Sequence, residues 1–425
     1  MTLGTIIVIL SLILIMLGMP IAWVLGSLSA FYVVFEGFPL SMLAHKVANS
    51  AATYPMLAVP LFMFAGKIMN SSGITTRIFN FADNVVGHIP GGLGHVNVVA
   101  SLIFAGMSGS PVADVAGLGE VEIKAMKERN YDTEFSTGIT LASAVIGPIL
   151  PPSIPMVLLG VMAELSITGL FLGGVLPAFV IAIFMMIYIY FYAKGKQYAL
   201  SKRPTLGVFL KNFVKATPPM LTPFIIVGGM TLGIFSPTEA ATVAVLYSLF
   251  LGAVVYKELT MKNFDLLKDV VASTARLMIV IASALLFGWV LVIENVPQQT
   301  AEFLVTISDR PWVVLLIINV VLLILGAIIE NIILLLILVP MLVPAMTQMG
   351  VDPIHFGVMM VFNIMVGQLT PPMGLSLYVA QDITGMPFDR VCRSVIPFYI
   401  PIVIALLFVT YVPSIVLFVP RLFGF

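Results

Sequence analysis

Apolar runs of membrane-spanning length follow one another along this chain, separated by short polar or Gly/Pro-rich punctuation. A bilayer hydrocarbon core of ~30 Å asks for about 20 apolar residues per crossing helix. On that spacing, spans are predicted at 3–19, 20–38, 53–69, 134–163, 168–193, 218–235, 237–256, 267–294, 355–381 and 393–419. Two further apolar stretches, 91–129 and 311–349, either fold back on themselves or cross twice, an even number of passes in both cases. From Asn70 to Gly91 the residues Ile74, Ile78, Phe79, Val85, Val86 and Ile89 alternate with Arg77, Asn80, Asp83 and His88, which predicts an amphipathic helix lying along the interface. Residues 295–310 are its shorter counterpart. The run to Gly18 has no basic n-region and no small-residue cleavage signature, so it is read as a retained first span.

The pattern repeats. A shift of 220 positions lays Gly147-Pro148-Ile149-Leu150-Pro151-Pro152 on Gly367-Gln368-Leu369-Thr370-Pro371-Pro372, Gly106 on Gly326, Asp132 on Asp352 and Pro177 on Pro397. A shift of 217 lays Pro20 on Pro237. The halves 1–217 and 218–425 then each hold five crossings and one double-pass segment. Because five is odd, the second half enters the membrane from the opposite face, giving an inverted-topology repeat. Such repeats suit alternating access, which secondary transporters need and channels rarely do.

Composition agrees with an all-α integral membrane protein: 425 residues, 60% hydrophobic, 9% charged, mean hydropathy +1.12. Twenty Lys+Arg balance twenty Asp+Glu, and no basic cluster is dense enough to follow a nucleic-acid backbone. The single cysteine, Cys392, excludes an internal disulfide and a cysteine-built zinc site, and four scattered histidines show no metal-ligand spacing. No phosphate-binding Gly-x4-Gly-Lys-Ser/Thr run is present, so no nucleotide-hydrolysing motor is expected within the chain. On the predicted topology seventeen basic residues fall on one side and Lys46, Arg310 and Arg421 on the other. The positive-inside rule places loop 194–217 in the cytoplasm and both termini outside.

Four interruptions fall at membrane depth: Gly147 to Pro155, Gly367 to Gly374, Ser108-Gly109-Ser110-Pro111, and Glu330-Asn331. Lipid satisfies no backbone hydrogen bond, so such breaks must be buried in protein or line a wet cavity. A proline break frees carbonyls on one side, which suit a cation, and N–H groups on the other, which suit a carboxylate. A plain kink satisfied by neighbouring helices is the competing reading. Ser110 fits an N-cap before Pro111, and alternatively Ser108 and Ser110 are hydroxyl ligands for a hard cation. Glu330 is either a neutral or Lys-paired structural group or part of a polar substrate-facing wall. The candidate sodium ligands are Ser108, Ser110, Gly147, Ile149, Leu150, Pro151, Gly326, Asn331, Gly367, Leu369, Thr370 and Met373. The candidate substrate contacts are Ser153, Ile154, Glu330, Gly374 and Ser376, with no catalytic residue, no transition metal and no cofactor beyond Na⁺ as coupling ion. Ser236-Pro237-Thr238-Glu239 reads as a helix-starting capping box.

With these motifs in place, the chain resembles the large membrane subunit of tripartite ATP-independent periplasmic (TRAP) transporters over essentially its full length. The resemblance is carried by Phe104-Ala105-Gly106-Met107-Ser108-Gly109-Ser110 with Ala113-Asp114, by Pro151-Pro152-Ser153, by Ser236-Pro237-Thr238-Glu239-Ala240-Ala241, and by Gly367-Gln368-Leu369-Thr370-Pro371-Pro372. It implies Na⁺-driven uptake of an organic acid across a bacterial inner membrane, with hairpins and broken helices forming a transport domain that slides as an elevator against a scaffold. It also implies two partners: a periplasmic substrate-binding protein, and a small four-helix membrane subunit for which no span is left over here. Sialic acids, other sugar acids and four-carbon dicarboxylates are the implied substrates. The rivals are a self-sufficient ion-coupled anion carrier and the membrane subunit of an ATP-driven importer.

Overall fold

The computed structural model describes residues 3–51, 53–196, 198, 200–259, 264–372 and 374–425. Among them there is no strand. The chain opens with α1 (Leu3–Met16), α2 (Ile21–Phe35), α3 (Leu40–Ala51) and α4 (Ala58–Asn70). After α4 it turns by 71° into α5 (Ile74–Val86). Gly73 makes that turn at φ +61°, a left-handed conformation that costs glycine little. Helix α5 has the predicted two faces: Ile74, Ile78, Phe79 and Val86 are buried, whereas Thr76 and Asn80 are exposed. Its beginning is tied to Glu258 by Arg77 Nη2 donating to Glu258 Oε1 at 2.7 Å, and its end to Arg129 by Asp83 pairing with that guanidinium at 3.2 Å.

The centre of each half is a hairpin followed by a broken helix. In the first, α6 (Gly92–Ser108) and α7 (Pro111–Glu128) precede α8 (Thr133–Ser143) and α9 (Ile154–Met162), and α10 (Ile167–Ala193) closes the half. The second half runs through α11 (Leu206–Thr231), α12 (Pro237–Phe250), α13 (Phe264–Ile293) and α14 (Val296–Ile307). Its hairpin is α15 (Pro311–Ile328) with α16 (Asn331–Gln348), its broken helix α17 (Pro353–Gly367) with α18 (Leu375–Thr384), and α19 (Phe388–Val395), α20 (Tyr399–Tyr411) and α21 (Pro413–Leu422) end the chain. Asp132 and Asp352, register partners in the sequence repeat, both occupy N-cap positions of the corresponding helices α8 and α17. Pro151-Pro152 and Pro371-Pro372 are both cis.

Among the described residues six helices are long and apolar enough to cross a membrane alone. Of the other predicted spans, 134–163 and 355–381 are each built from two shorter helices because proline and glycine interrupt them, whereas 3–19, 20–38 and 218–235 each fall on a single helix. The two double-pass stretches are helical hairpins, and residues at or near each hairpin tip meet the middle of a broken helix. Packing is crossed between the halves, with α7 against α18 and α16 against α9.

Helix α11 departs from expectation. The sequence predicts a cytoplasmic loop over 194–217 followed by a span from 218, yet the helix starts at Leu206 and continues through Pro218, Pro219 and Pro223. Pro219 has no N–H to offer the carbonyl of Lys215 one turn back. Tyr256 Oη donates to that carbonyl instead, at 2.9 Å, and Tyr247 Oη donates to the Pro218 carbonyl at 2.8 Å. The segment before α11 is held to the α7–α8 turn: Tyr198 stacks on Tyr131 with centroids 4.1 Å apart, and Lys196 lies 2.5 Å from Asp132. The Lys196 ammonium holds the Asp132 carboxyl below the usual carboxylate range. The Ser236 capping box forms as its motif predicts, with Ser236 N–H donating to Glu239 at 2.8 Å.

Removing one phenolic hydroxyl tests the account of α11. Tyr256→Phe keeps the ring that stacks on Arg77 at 4.0 Å but leaves the Lys215 carbonyl without its donor. A loss of about 0.5–1 kcal/mol is expected for removing one hydrogen bond to a solvent-accessible carbonyl, read as a lower unfolding temperature of the purified protein in detergent; an unchanged midpoint would show that water replaces the hydroxyl.

Candidate functional site

The first hairpin tip is pressed onto the first break. Gly109, at φ +61°, comes so close that a Cβ there would lie 2.4 Å from the Pro152 carbonyl oxygen. Beside it the Ser108 hydroxyl donates to Asp114 Oδ1, and both residues are buried. The other oxygen, Asp114 Oδ2, has no hydrogen-bond partner and points at Gly147, where a Cβ would be 2.2 Å away. Ser108, Asp114, Gly147 and Pro152 therefore meet at one point, around a carboxylate oxygen with nothing bound to it in the protein.

The second tip makes the corresponding approach. A Cβ on Gly367 would lie 2.6 Å from Gly326 Cα, so the two backbones touch. Asn331, the first residue of α16, donates from Nδ2 to Met365 Sδ at 3.6 Å and keeps Oδ1 unpartnered. Gln368 Oε1 and Ser376 Oγ, both buried, are unpartnered as well. Gly106, the register partner of Gly326, meets no break: a Cβ there would lie 2.8 Å from Pro223 of α11. Gly106 and Gly326, partners in the sequence repeat, thus make different contacts.

The remaining candidates have other engagements. The Glu330 carboxylate turns back on its own helix, accepting from the Ile332 and Ile333 N–H groups at 3.1 and 3.3 Å, and so caps α16. A negative group there also complements the helix dipole. Ser110 holds the N-cap position of α7, but its hydroxyl makes no bond to the helix. The Ser153 hydroxyl accepts from Met156 N–H at 3.2 Å and donates to the Pro148 carbonyl, so it is spent on closing the break; Ile154 follows as the first residue of α9. The Ile149 carbonyl faces α10, where a Cβ on Gly174 would lie 2.0 Å from its oxygen. Leu150 and Pro151 line an apolar cavity. The Leu369 carbonyl accepts from Tyr399 Oη at 2.7 Å, and Thr370 Oγ1 lies 3.1 Å from the same hydroxyl. Gly374 caps α18, and Met373 lies outside the described residues.

Two polar clasps were not anticipated from the sequence. In the first, Ser143 Oγ donates to Asn97 Oδ1 at 2.7 Å, and Asn97 Nδ2 donates to Glu122 Oε2 at 2.7 Å and to Thr140 at 2.7 Å. In the second, Asn363 Nδ2 donates to Asn319 Oδ1 at 2.6 Å, and Asn319 donates to Thr410 at 3.1 Å. Each joins the first helix of a hairpin to the first half of the broken helix, so that tip and break are held as one body. The signal was available: Asn97 and Asn319 differ by 222 positions (319 − 97), Ser143 and Asn363 by 220 (363 − 143), close to the repeat. Polar groups inside apolar helices point inward and pair.

A family model described as the tripartite ATP-independent periplasmic transporter, DctM component, matches residues 7–415. The chain belongs to this family, as a TRAP large permease. It is 45% identical over 408 residues to the sialic acid TRAP transporter large permease protein SiaM of Vibrio cholerae, covering 96% of each chain. It is 37% identical to the C4-dicarboxylate TRAP transporter large permease protein DctM of Pseudomonas aeruginosa, covering 92% of each. Among solved structures, the YdaH transporter of Alcanivorax borkumensis superposes with a TM-score of 0.64 at 12% identity, over 87% of this chain and 88% of that one. At that identity the likeness is one of fold: an all-helical membrane transporter architecture.

The closeness of tip and break makes a direct test of this TRAP permease. Gly367→Ala places a methyl against the backbone of Gly326, which cannot yield as a side chain would. We expect substrate uptake to fall at least tenfold with membrane insertion retained, whereas Gly207→Ala, which meets nothing within 4 Å, leaves uptake unchanged. Equal uptake by both variants would show that the tip need not seat on the break.

Proposed function

We propose that this TRAP large permease carries out Na⁺-coupled uptake of an organic acid handed over by a periplasmic binding protein. A small four-helix membrane subunit, encoded as a separate polypeptide, completes the membrane part. The observation that carries the reading is the convergence of each hairpin tip on a proline break, with Asp114 Oδ2 unpartnered at one and Asn331 Oδ1 and Gln368 Oε1 in the residues around the other. Hard oxygens around a buried point suit a hard cation. Among the candidate ligands, Ser108, Gly147, Gly326, Asn331 and Gly367 lie in these two places, and Asp114 joins them.

The acid enters beside the cations. No Lys or Arg lies in either break, so positive potential for a carboxylate comes from Na⁺ and from the free N–H groups at the starts of α9 and α18. Each ligand then strengthens the other's binding, and the acid does not move without its ions. Hairpins, broken helices, α10 and α20–α21 form the transport block. It slides as an elevator against a scaffold of α1–α4 and α11–α13, with α5 and α14 as arms and both termini on the periplasmic side of the inner membrane. Sialic acid is the favoured substrate, on the strength of the 45% identity to a sialic acid permease. Equivalent halves at 1–217 and 218–425 supply the two nearly equal states that alternating access requires.

Uptake into proteoliposomes holding both membrane subunits tests this. Transport of sialic acid is expected to need an inward Na⁺ gradient and added binding protein, and to rise with an inside-negative potential, since each net charge moved gains about 2.3 kcal/mol per 100 mV. Asp114→Asn should raise the Na⁺ concentration for half-maximal uptake. Uptake undiminished in Na⁺-free buffer would remove the mechanism, uptake without binding protein would favour a self-sufficient carrier, and transport of a dicarboxylate alone would reassign the substrate.

A further inference from the structure

Glu122 lies on the buried face of α7, between Leu118 and Met126, and is itself 1% exposed. Its carboxyl is held from one side. Oε2 accepts from Asn97 Nδ2 at 2.7 Å and from Thr140 Oγ1 at 3.2 Å, whereas Oε1 is buried with no hydrogen-bond partner. An ionised carboxylate placed there would leave one oxygen's share of the charge uncompensated in an apolar interior.

No cation among the described residues offsets that charge. On the helices packed against α7, Arg77 is paired with Glu258, Asp83 with Arg129 and Glu134 with Arg390. His95 Nε2 is engaged with the Pro90 carbonyl and Tyr378 with that of Pro372, and neither Lys67 nor Asp382 bonds to Glu122. On α7 itself Glu120, Lys124, Lys127 and Glu128 are exposed. Asp114, eight positions back (122 − 114) and so about two turns away, has the same sign. A metal ion fits no better. Asn97 Oδ1 already accepts from Ser143, so a metal would meet one free side-chain oxygen where it needs several. A proton needs only one oxygen.

The neutral acid fits the same positions once the Asn97 amide is turned over, which exchanges its oxygen and nitrogen without changing its shape. Glu122 Oε2–H and the Thr140 hydroxyl then both donate to Asn97 Oδ1. Asn97 Nδ2 donates to Ser143 Oγ, which also accepts from Ser101 Oγ at 2.9 Å, and the Ser143 hydrogen goes to the Thr140 carbonyl at 3.1 Å. Every donor has an acceptor, and Oε1 becomes the carbonyl oxygen of an uncharged acid, which costs far less to leave unpaired. The second clasp closes without an acid. Leu342 stands 220 positions on from Glu122, and Asn319, Asn363 and Thr410 bond to one another there. Holding a hairpin to its broken helix therefore does not of itself require a carboxyl group.

We propose that Glu122 is a proton-binding site, neutral and donating to Asn97 while the first clasp is closed, and that the bound proton keeps both helices of the first hairpin on α8. Ionisation breaks the O–H bond and passes the proton to water, with nothing oxidised or reduced. It leaves a bare carboxylate between α7 and α8 and drives the hairpin off the helix that it covers. The proton thus acts beside Na⁺ in deciding whether the first tip seats on its break. This goes beyond the sodium reading, and the presence of the proton can be read without any transport measurement.

Infrared spectroscopy of the complex of both membrane subunits in lipid vesicles reads that proton. At neutral pH a protonated-carboxyl C=O band is expected that moves to lower frequency in D₂O, remains in Asp114→Asn and is missing from Glu122→Gln. Glu122→Leu, which carries the side chain found in the second half, serves if the first variant fails to insert. Uptake with one and the same binding protein then reads the coupling. Wild-type uptake should decline as the pH is raised from neutral to alkaline at constant Na⁺, and Glu122→Gln, which keeps a donor to Asn97 at every pH, should lose that decline. A carboxyl band absent from the wild type, or unchanged by both substitutions, would overturn the proton site. An alkaline decline absent from the wild type, or equal in Glu122→Gln, would overturn its coupling to the seating of the tip.

Discussion

A backbone carbonyl or N–H placed in hydrocarbon must find a partner inside the protein, and the architecture follows from where this chain fails to provide one along its own helices. Two runs of glycine and proline stop α8 and α17 short of crossing, which frees polar groups at membrane depth. The hairpins exist to cover them. Gly109 and Gly326 lack side chains, so backbone can be laid directly on backbone, and the clasps through Asn97 and Asn319 hold each hairpin to the helix it covers. In α11 the Tyr256 hydroxyl supplies the donor that Pro219 lacks.

Covering is incomplete at the points that matter most. Burial of Asp114 with one oxygen unbonded is costly for a purely structural arrangement, since a buried carboxylate wants charge or hydrogen bonds on both oxygens. The same holds on a smaller scale for Asn331 and Gln368. On the proposed Na⁺-coupled reading, a cation at each break resolves the cost and supplies the positive potential that the acid needs, which makes ion and substrate interdependent without a buried basic residue.

Much of this was legible in the sequence because its signals are local and repeated. Pro-Pro pairs at one offset, Ser-Gly-Ser-Pro between apolar runs, and Ser236 with Glu239 each dictate backbone geometry within a few residues, and the helix boundaries followed. Side-chain direction was not legible. Glu330 looked like a cavity group because its cost in a membrane is high, but its length lets it reach its own helix N-terminus, a choice set by a single rotamer. Asp114 was visible only as part of a family motif, since nothing in the sequence says that it meets Gly147, 33 positions on (147 − 114). Likewise the hydroxyl of Tyr399 reaches Leu369 through tertiary packing, which no spacing reveals.

The claim on which the rest stands is that Na⁺ occupies the junction of hairpin tip and break. Ser110, at that tip and half-buried, reports on it. With Cys392 replaced by Ser and Ser110→Cys as the sole thiol, the rate of maleimide labelling in membranes measures whether the tip is closed. The account predicts that Na⁺ slows labelling at least fivefold relative to K⁺ at equal ionic strength, with further slowing when the acid is present. Labelling at the same rate in Na⁺ and K⁺ would contradict it.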